Sequence, residues 1–196
     1  MLEFDEAAHV YRIHGAVVPS VTQVLKPLET FARVPLDALE NARMRGGHVH
    51  LAMALLARDD LDWMSIDPLL RPYVQSGERF LIDSGVTVVA SELRVCSPRL
   101  RCAGTIDLIG DWRGRAALFD FKATAVIPAT VGPQTAGYEF LYREHCGHAR
   151  RRMLRFCVHL QPDAYRVIPL EDSRDESVFL SALNIYHWGR QHGIAA

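Results

Sequence analysis

Lysine is nearly missing from this sequence. Among its 22 lysines and arginines, only Lys26 and Lys122 are lysines, and neither lies in a Gly-Lys-Ser/Thr context. The chain therefore has no P-loop, which excludes an ATP-driven motor of that type. Arginine supplies nearly all of the positive charge, whereas a compact ammonium suits a narrow polar site better than a broad guanidinium fork. The lysine kept at position 122 is thus a candidate for such a site.

Cysteine is scarce, and long apolar runs are absent. No Cys-x-x-Cys spacing occurs among the four cysteines, which are Cys96, Cys102, Cys146 and Cys157. Acidic residues interrupt the N-terminus, where a signal peptide would be apolar. The longest apolar run, near residues 51–57, is far too short to span a bilayer. We expect reduced thiols in a cytoplasmic protein that does not enter a membrane.

An excess of charge of one sign is also missing. The formal net charge is −1 and the pI about 6.7, whereas nucleic-acid-binding proteins usually show a basic patch. One basic run would provide a local phosphate track or form a solvated loop; it comprises Arg143, Arg150, Arg151, Arg152 and Arg155. With 196 residues, 49% of them hydrophobic and 23% charged, we expect one globular domain covering residues 1–196.

The most informative local pattern is a β-hairpin that ends at Lys122. Two apolar runs flank a Trp-Arg-Gly-Arg turn at residues 112–115, which is typical of a tight hairpin. In this register Asp107 and Asp120 come close to facing each other, and Lys122 points to the same face as Asp120. Two carboxylates and one ammonium therefore converge on an otherwise apolar sheet.

Carboxylates on apolar strands require a partner. A divalent metal is one, because hard cations take oxygen ligands. Alternatively, Asp107 and Asp120 lie at frayed strand ends, and Lys122 pairs with one of them. Glu92 lies among valines in the predicted strand that precedes this hairpin. It is either a charge on the edge of the sheet or a further polar group of the same site.

The rest of the pattern predicts an α/β fold with a central mixed β-sheet flanked by helices. A small hairpin around His14-Gly15 and a short helix capped by Ser20 begin the chain. The other predicted strands are 86–96, 100–111, 115–123, 152–161 and 164–170, and the other predicted helices are about 35–58, 67–84, 131–146 and 174–191. Gly46-Gly47 weakens or breaks the first long helix, by about 1 kcal/mol per glycine relative to alanine.

Several motifs occur in an order that resembles a known nuclease superfamily. Asp107 followed by Asp120-Phe121-Lys122 looks like the PD-(D/E)XK signature, although Ile106 replaces its proline. Three further segments are similar to motifs of the RecB-like and phage-type exonuclease branch: Arg45–His50 to its Gly-x-x-x-His helix, Ser91-Glu92, and Gln134–Tyr138 to its Gln-x-x-x-Tyr motif. The openings His9–Tyr11 and Val18–Thr22 are also similar. The resemblance covers most of the chain.

The resemblance implies a restriction-endonuclease-like core and a Mg²⁺-dependent deoxyribonuclease in which Mn²⁺ substitutes. Its implied catalytic residues are Asp107, Asp120, Lys122 and Glu92. Its implied metal ligands are His50, Asp107, Asp120 and the Phe121 carbonyl. Its implied DNA-binding residues are Gln134, Tyr138, Arg45, Arg143, Arg150, Arg151 and Arg152. Some relatives carry a four-cysteine iron–sulfur cluster, but the scattered cysteines here do not favour one, and His145-Cys146 with His148 lacks a second pair for zinc.

The resemblance favours an exonuclease that acts on DNA ends. A phage-encoded member would work in the host cytoplasm, in recombination or repair, with DNA and a single-strand annealing protein as partners and with a homo-oligomer as one arrangement. Two alternatives stay open: a structure- or sequence-specific endonuclease of the same superfamily, and a DNA-binding module without catalysis. The complete set of Asp107, Asp120 and Lys122 argues against the inactive module.

Overall fold

The N-terminus forms a small sheet of its own. The computed structural model describes residues 1–29, 36–147 and 152–194, with only the backbone described for 36–44. Three antiparallel strands form the small sheet in the order β1-β2-β3: β1 (Leu2–Asp5), β2 (Val10–Ile13) and β3 (Ala16–Val18). The sequence predicts β2 and β3, but β1 adds a strand to the expected hairpin. Its Leu2 and Phe4 pack against the core formed around Tyr11 and Ile13.

A five-stranded mixed sheet forms the centre of the fold. Its order is β4 (Thr87–Ser97), β5 (Cys102–Trp112), β6 (Arg115–Lys122), β7 (Leu154–Gln161) and β8 (Ala164–Pro169). Neighbouring strands are antiparallel except for β6 and β7, which are parallel. Parallel strands need a crossover connection, and a helix between β6 and β7 provides it. The α/β architecture expected from the sequence is confirmed.

Helices cover both faces of this sheet. The described helices are α1 (Val21–Leu25), α2 (Leu36–Leu56), α3 (Arg71–Ser84), α4 (Val131–His145) and α5 (Asp175–Gln191). One core joins α1, α4 and α5 to the sheet, and the Phe179 ring packs directly on Gly137. The other core joins α2 and α3 to the opposite face through Met53, Phe80 and Phe119. None of the helices in the described ranges has the length and apolar character that a membrane crossing requires.

The hairpin between β5 and β6 fixes the register of the site. Its two turn residues, Arg113 and Gly114, have φ values of 56° and 77°, as a two-residue type I′ turn requires. Leu108 pairs with Phe119, so Asp107 and Asp120 occupy the next position along the two strands. The facing arrangement expected from the sequence is therefore confirmed.

The short helix α1 joins the small sheet to the central one. Ser20 caps it through a capping box, in which the side chains of Ser20 and Gln23 each accept from the other residue's backbone N–H. Ser20 also forms an isolated bridge with Ala103 in β5. These contacts place the N-terminal sheet against the start of β5, close to Asp107. The capping role expected for Ser20 is confirmed.

Helix α2 continues through Gly46-Gly47, so the break that the sequence suggested there does not occur. A Cβ added at Gly47 would meet nothing within 4 Å. Replacing Gly47 with alanine should therefore raise the free energy of unfolding by about 1 kcal/mol, the usual difference between the two residues inside a helix. Urea unfolding would measure it.

The contrasting variant is Gly77→Ala in α3. A Cβ there would lie 2.1 Å from Met53 Sδ, so the core must rearrange, and overpacking typically costs about 1–3 kcal/mol. Stabilisation of both variants to the same extent would contradict the packing described around Gly77.

Candidate metal centre

Asp107 lies where α2 meets β5. Its Oδ1 is 3.1 Å from His50 Nδ1, and its Oδ2 accepts a hydrogen bond of 2.8 Å from the Phe121 backbone N–H. Burial alone would raise the pKa of Asp107, but the charge and hydrogen bond of His50, together with Lys122, hold it below its usual value. Burial alone would lower the pKa of His50, yet the contact with Asp107 raises it. Both side chains are thus fixed by mutual contacts.

Glu92 lies opposite Asp107 on the edge strand. Ser91 pairs with Leu108 and Leu93 pairs with Ile106, which leaves Glu92 facing Asp107. A register shift between Val88 and Ala90 precedes it, and the φ of Glu92 is 50°. A residue with a Cβ in this left-handed region typically costs about 1–2 kcal/mol. Such strain recurs at functional sites, where the surrounding structure holds it in place.

Ligand atoms of His50, Glu92 and Asp107 all lie within 4.8 Å of one another. Burial and the neighbouring Asp107 charge raise the pKa of Glu92 to about 7, with His50, Arg58 and Arg94 acting in the opposite direction. Two carboxylates and an imidazole at this spacing offer the oxygen and nitrogen donors that divalent cations bind. The sequence left Glu92 between a site role and an edge charge; the structure places it within this cluster.

Asp120 and Lys122 form a second, adjacent group on β6. Lys122 Nζ is 2.6 Å from Asp120 Oδ2, but this buried oxygen has no hydrogen bond of good geometry among the described residues. Burial and the Asp107 charge raise the pKa of Asp120 despite Lys122. Burial would lower the pKa of Lys122, yet Asp120 and Asp107 raise it. Lys122 therefore acts on both aspartates, and it is in direct contact with Asp120.

A divalent cation fits this set of residues. The three clustered donors and the buried Oδ2 of Asp120, which has no hydrogen bond among the described residues, provide the ligand atoms that such a cation would use. Phe121 contributes its backbone N–H to Asp107, while its ring lies in the core. The predicted role of its carbonyl as a ligand stays a prediction.

Gln134 and Tyr138 lie on α4 directly behind Asp120. The Gln134 amide donates to Asp120 Oδ1 at 2.9 Å and to Tyr138 Oη at 3.2 Å. Both residues are buried, and a Cβ at Gly104 would lie 2.7 Å from the Tyr138 ring. Because both hydrogens of the amide are used inside the protein, this geometry favours a role in orienting Asp120. The predicted contact of Gln134 with a DNA phosphate would require these bonds to rearrange.

The N-terminal sheet reaches the same region through Tyr11. Its hydroxyl is 2.7 Å from Thr105 Oγ1, and Thr105 is two residues before Asp107 and therefore on the same strand face. Burial, with the charges of Glu92 and Asp107, raises the pKa of Tyr11 against the hydrogen bond with Thr105. No local pattern predicts this contact, because it joins residues 94 positions apart.

The described arginines of the basic run, which was expected to bind phosphates, are paired with acidic residues. Arg143 and Arg152 both bond to Glu176, at 2.7 and 2.5 Å, and Arg155 lies 3.1 Å from Asp175. Buried Glu139, which the sequence analysis did not single out, accepts from the Met153 N–H and lies near all three arginines. Arg150 and Arg151 lie outside the described residues.

Arg45, the remaining arginine of the predicted DNA-binding set, packs on α3. Its guanidinium lies 5.6 Å from the centroid of the Tyr73 ring, and its buried Nε has no hydrogen bond among the described residues. The assignment of Arg45, Arg143 and Arg152 to DNA binding therefore stays a prediction, and the ion pairs of the last two do not favour it.

Comparison with known proteins gives a likeness in fold. No family model and no curated protein matches the chain. Among solved structures, SSO0001 is 11% identical at a TM-score of 0.40, covers 59% of this chain, and is spanned over only 56% of its own length. The alkaline exonuclease LHK-Exo of Laribacter hongkongensis is 14% identical at a TM-score of 0.38, over 91% of this chain and 95% of that one.

A further solved structure is similar enough for the folds to be compared. It is an exonuclease candidate from Eubacterium rectale, 12% identical at a TM-score of 0.55, over 91% of this chain and 83% of that one. At this identity the likeness concerns the fold alone. The mixed sheet with helices on both faces is thus the restriction-endonuclease-like core that the sequence motifs implied.

Proposed function

We propose that the protein is a divalent-metal-dependent nuclease that hydrolyses phosphodiester bonds in DNA, favouring DNA ends. The observation that carries the proposal is the convergence of His50, Glu92 and Asp107 within 4.8 Å, beside the Asp120–Lys122 pair at 2.6 Å. Phosphodiester hydrolysis is promoted by a bound metal ion that activates water and by a fixed positive charge that stabilises the transition state. A metal-ligand cluster next to a positioned ammonium can provide both. The preference for ends rests on the motif resemblance; the Eubacterium rectale protein, which has a similar fold, is also described as an exonuclease candidate.

The metal would be held by His50, Glu92, Asp107 and Asp120, and Mg²⁺ with oxygen donors is the favoured ion, with Mn²⁺ as a substitute. When bound, it would acidify a water molecule and neutralise charge on the phosphate. The protein's own residues prepare the site for this chemistry. Asp107 is held by two contacts, and Asp120 is oriented by Gln134, whose amide is in turn oriented by Tyr138.

In this proposal, Lys122 acts on charge that develops at the phosphate. Its ammonium is mostly buried and fixed by Asp120, and it stays protonated at neutral pH because Asp120 and Asp107 raise its pKa against the effect of burial. A fixed ammonium in a largely dry site stabilises a developing negative charge more strongly than water does. It can also donate a hydrogen bond to orient an attacking water.

The proposal includes the whole chain as one nuclease domain that works in DNA recombination or repair. The phage origin, the annealing-protein partner and a homo-oligomer belong to the same proposal and rest on the motif resemblance alone.

Digestion of two DNA substrates tests the activity. We expect the protein with Mg²⁺ to degrade end-labelled linear duplex DNA and to leave a covalently closed circle intact, with no degradation in EDTA. Cutting of the circle would identify an endonuclease instead. A folded protein that cuts neither substrate with Mg²⁺ or Mn²⁺ would overturn the proposal. An Asp107→Asn protein purified in parallel controls for contaminating nucleases.

Metal binding should also stabilise the fold. A cation bound only by the native state adds about 2.7 kcal/mol at a hundredfold excess over its Kd, which corresponds to a rise in melting temperature of about 5–10 °C for a chain of this size. We expect this rise with Mg²⁺ or Mn²⁺, and a much smaller one in Glu92→Gln, which removes one clustered ligand. Equal shifts in the two proteins would place the metal elsewhere.

A further inference from the structure

Two arginines outside the predicted set flank the metal centre, and both are held in place. Arg58 follows α2, and its guanidinium donates to Ser91 twice, to Oγ through Nε and to the carbonyl oxygen through Nη2, each at 3.0 Å. Since Ser91 immediately precedes Glu92, this fork is anchored beside the cluster. A planar group held by two bonds loses little freedom when it binds a further anion.

Arg94 lies on the other side of Glu92. It pairs with Thr105 across the β4–β5 ladder, so its side chain shares the face of Thr105 and Asp107. Its guanidinium lies 4.8 Å from the centroid of the Phe4 ring, a cation–π contact that fixes its position. The charges of Arg58 and Arg94 both act on Glu92, which agrees with their placement near its carboxylate.

Within the described part of the chain, neither arginine is bonded to a carboxylate. Both side chains are exposed. Arg143, Arg152 and Arg155, by contrast, are matched by Glu139, Asp175 and Glu176. Free, oriented guanidiniums bind phosphate well, whereas those already bonded to carboxylates must first lose a partner.

We infer that Arg58 and Arg94 bind backbone phosphates of the nucleic acid on the two sides of the metal centre. This inference rests on the proposed nuclease function and adds the residues that hold the substrate. It also assigns phosphate contacts to the rim formed by the end of α2 and the edge strand β4, rather than to the described arginines of the basic run, Arg143, Arg152 and Arg155. The edge strand β4 would then carry both a residue of the metal cluster, Glu92, and a phosphate contact, Arg94, and the DNA would pass over it.

Salt dependence of binding tests the inference. All variants are made in an Asp120→Asn background, so that a short labelled duplex can be bound with Mg²⁺ without being cut. The slope of log K against log salt is negative, and each lost phosphate contact makes it shallower by about 0.9 on duplex DNA and by about 0.7 on a single strand. We expect Arg58→Gln and Arg94→Gln each to lose one such unit, and the double variant about 1.8 on duplex DNA.

One control variant carries the same loss of charge elsewhere. Arg174 is exposed and bonds Asp172 at the start of α5, so Arg174→Gln should keep the parent slope. Arg152→Gln tests the competing track along the basic run, and under this inference it should also keep the parent slope. If Arg152→Gln alone makes the slope shallower, the basic run is the track and the inference is overturned. If Arg58→Gln and Arg94→Gln behave like Arg174→Gln, the inference also fails, but the proposed function stands.

A conservative variant separates binding from a structural role of Arg58. Arg58→Lys loses the bidentate contact with Ser91 but keeps the positive charge. Because the salt dependence reflects the number of phosphates that are neutralised, this variant should retain the parent salt slope. A slope as shallow as that of Arg58→Gln would show that the loss comes from a disturbed Ser91 and would overturn the phosphate contact. If the background protein itself binds no DNA, the proposed function fails, and this inference with it.

Discussion

Replacement of Asp107 by asparagine should reduce cleavage of linear DNA with Mg²⁺ by about a thousandfold or more. The carboxylate is a member of the ligand cluster, and a catalytic metal typically supplies several kcal/mol of transition-state stabilisation, or about 10³ in rate. DNA binding should be unchanged or tighter, because one negative charge near the phosphate is removed. Single-turnover cleavage and equilibrium binding of the same labelled duplex measure the two effects.

The asparagine variant is chosen because it can still accept the hydrogen bond from the Phe121 N–H, which limits damage to the fold. Asp111→Asn is the matched control on the same strand, since Asp111 is exposed and its side chain accepts from the Gly114 N–H in the hairpin turn. Cleavage within tenfold of wild type by a folded Asp107→Asn protein would remove Asp107 from the mechanism. Parallel loss in Asp111→Asn would indicate a general effect on the hairpin.

Lys122→Arg should fold and bind DNA but cleave at least about a hundredfold more slowly, although it keeps the charge. Loss of one positioned electrostatic contact typically lowers the rate by about 10²–10³. The ammonium occupies a space in which only 14% of the side chain is exposed, and the larger guanidinium cannot place a donor at the same point. Arginine would instead form a bidentate pair with Asp120.

The competing interpretation predicts the opposite outcome. If Lys122 only neutralised Asp120, arginine would do so equally well, and cleavage would stay near the wild-type rate. That result in a folded protein would show Lys122 to be structural. Lys26→Arg, which changes the other lysine of the chain in a short 3₁₀ turn after α1, is the control for the substitution itself.

Local pattern was enough to predict much of the fold. The turn at Arg113-Gly114 and the alternation on either side of it place Asp107 opposite Asp120 through contacts between residues close in sequence. The long helices and strands were found for the same reason, with α3 starting later than expected, at Arg71. The Asp67 side chain accepts from the Leu69 N–H, which forms a turn before the helix begins.

The features that could not be predicted from the sequence depend on contacts between segments that are distant along the chain. The arginine run looks free until Glu139 and Glu176 are placed beside it, and Gln134 looks like a surface residue until α4 is packed behind Asp120. Arg58 and Arg94 are ordinary arginines in sequence, and only the β4–β5 register and Ser91 bring them to Glu92. The open space around Gly47 likewise follows from packing, which no local pattern encodes.

The left-handed backbone of Glu92 has a consequence for attempts to make this protein more robust. Glycine and asparagine adopt that conformation more readily, and either would also remove a carboxylate from a crowded acidic cluster. A library screened for heat resistance in the absence of metal should therefore enrich Glu92→Gly and Glu92→Asn. The selected variants would be more stable but catalytically inactive, as in other trade-offs between stability and activity. Position 92 should be held constant in any such screen.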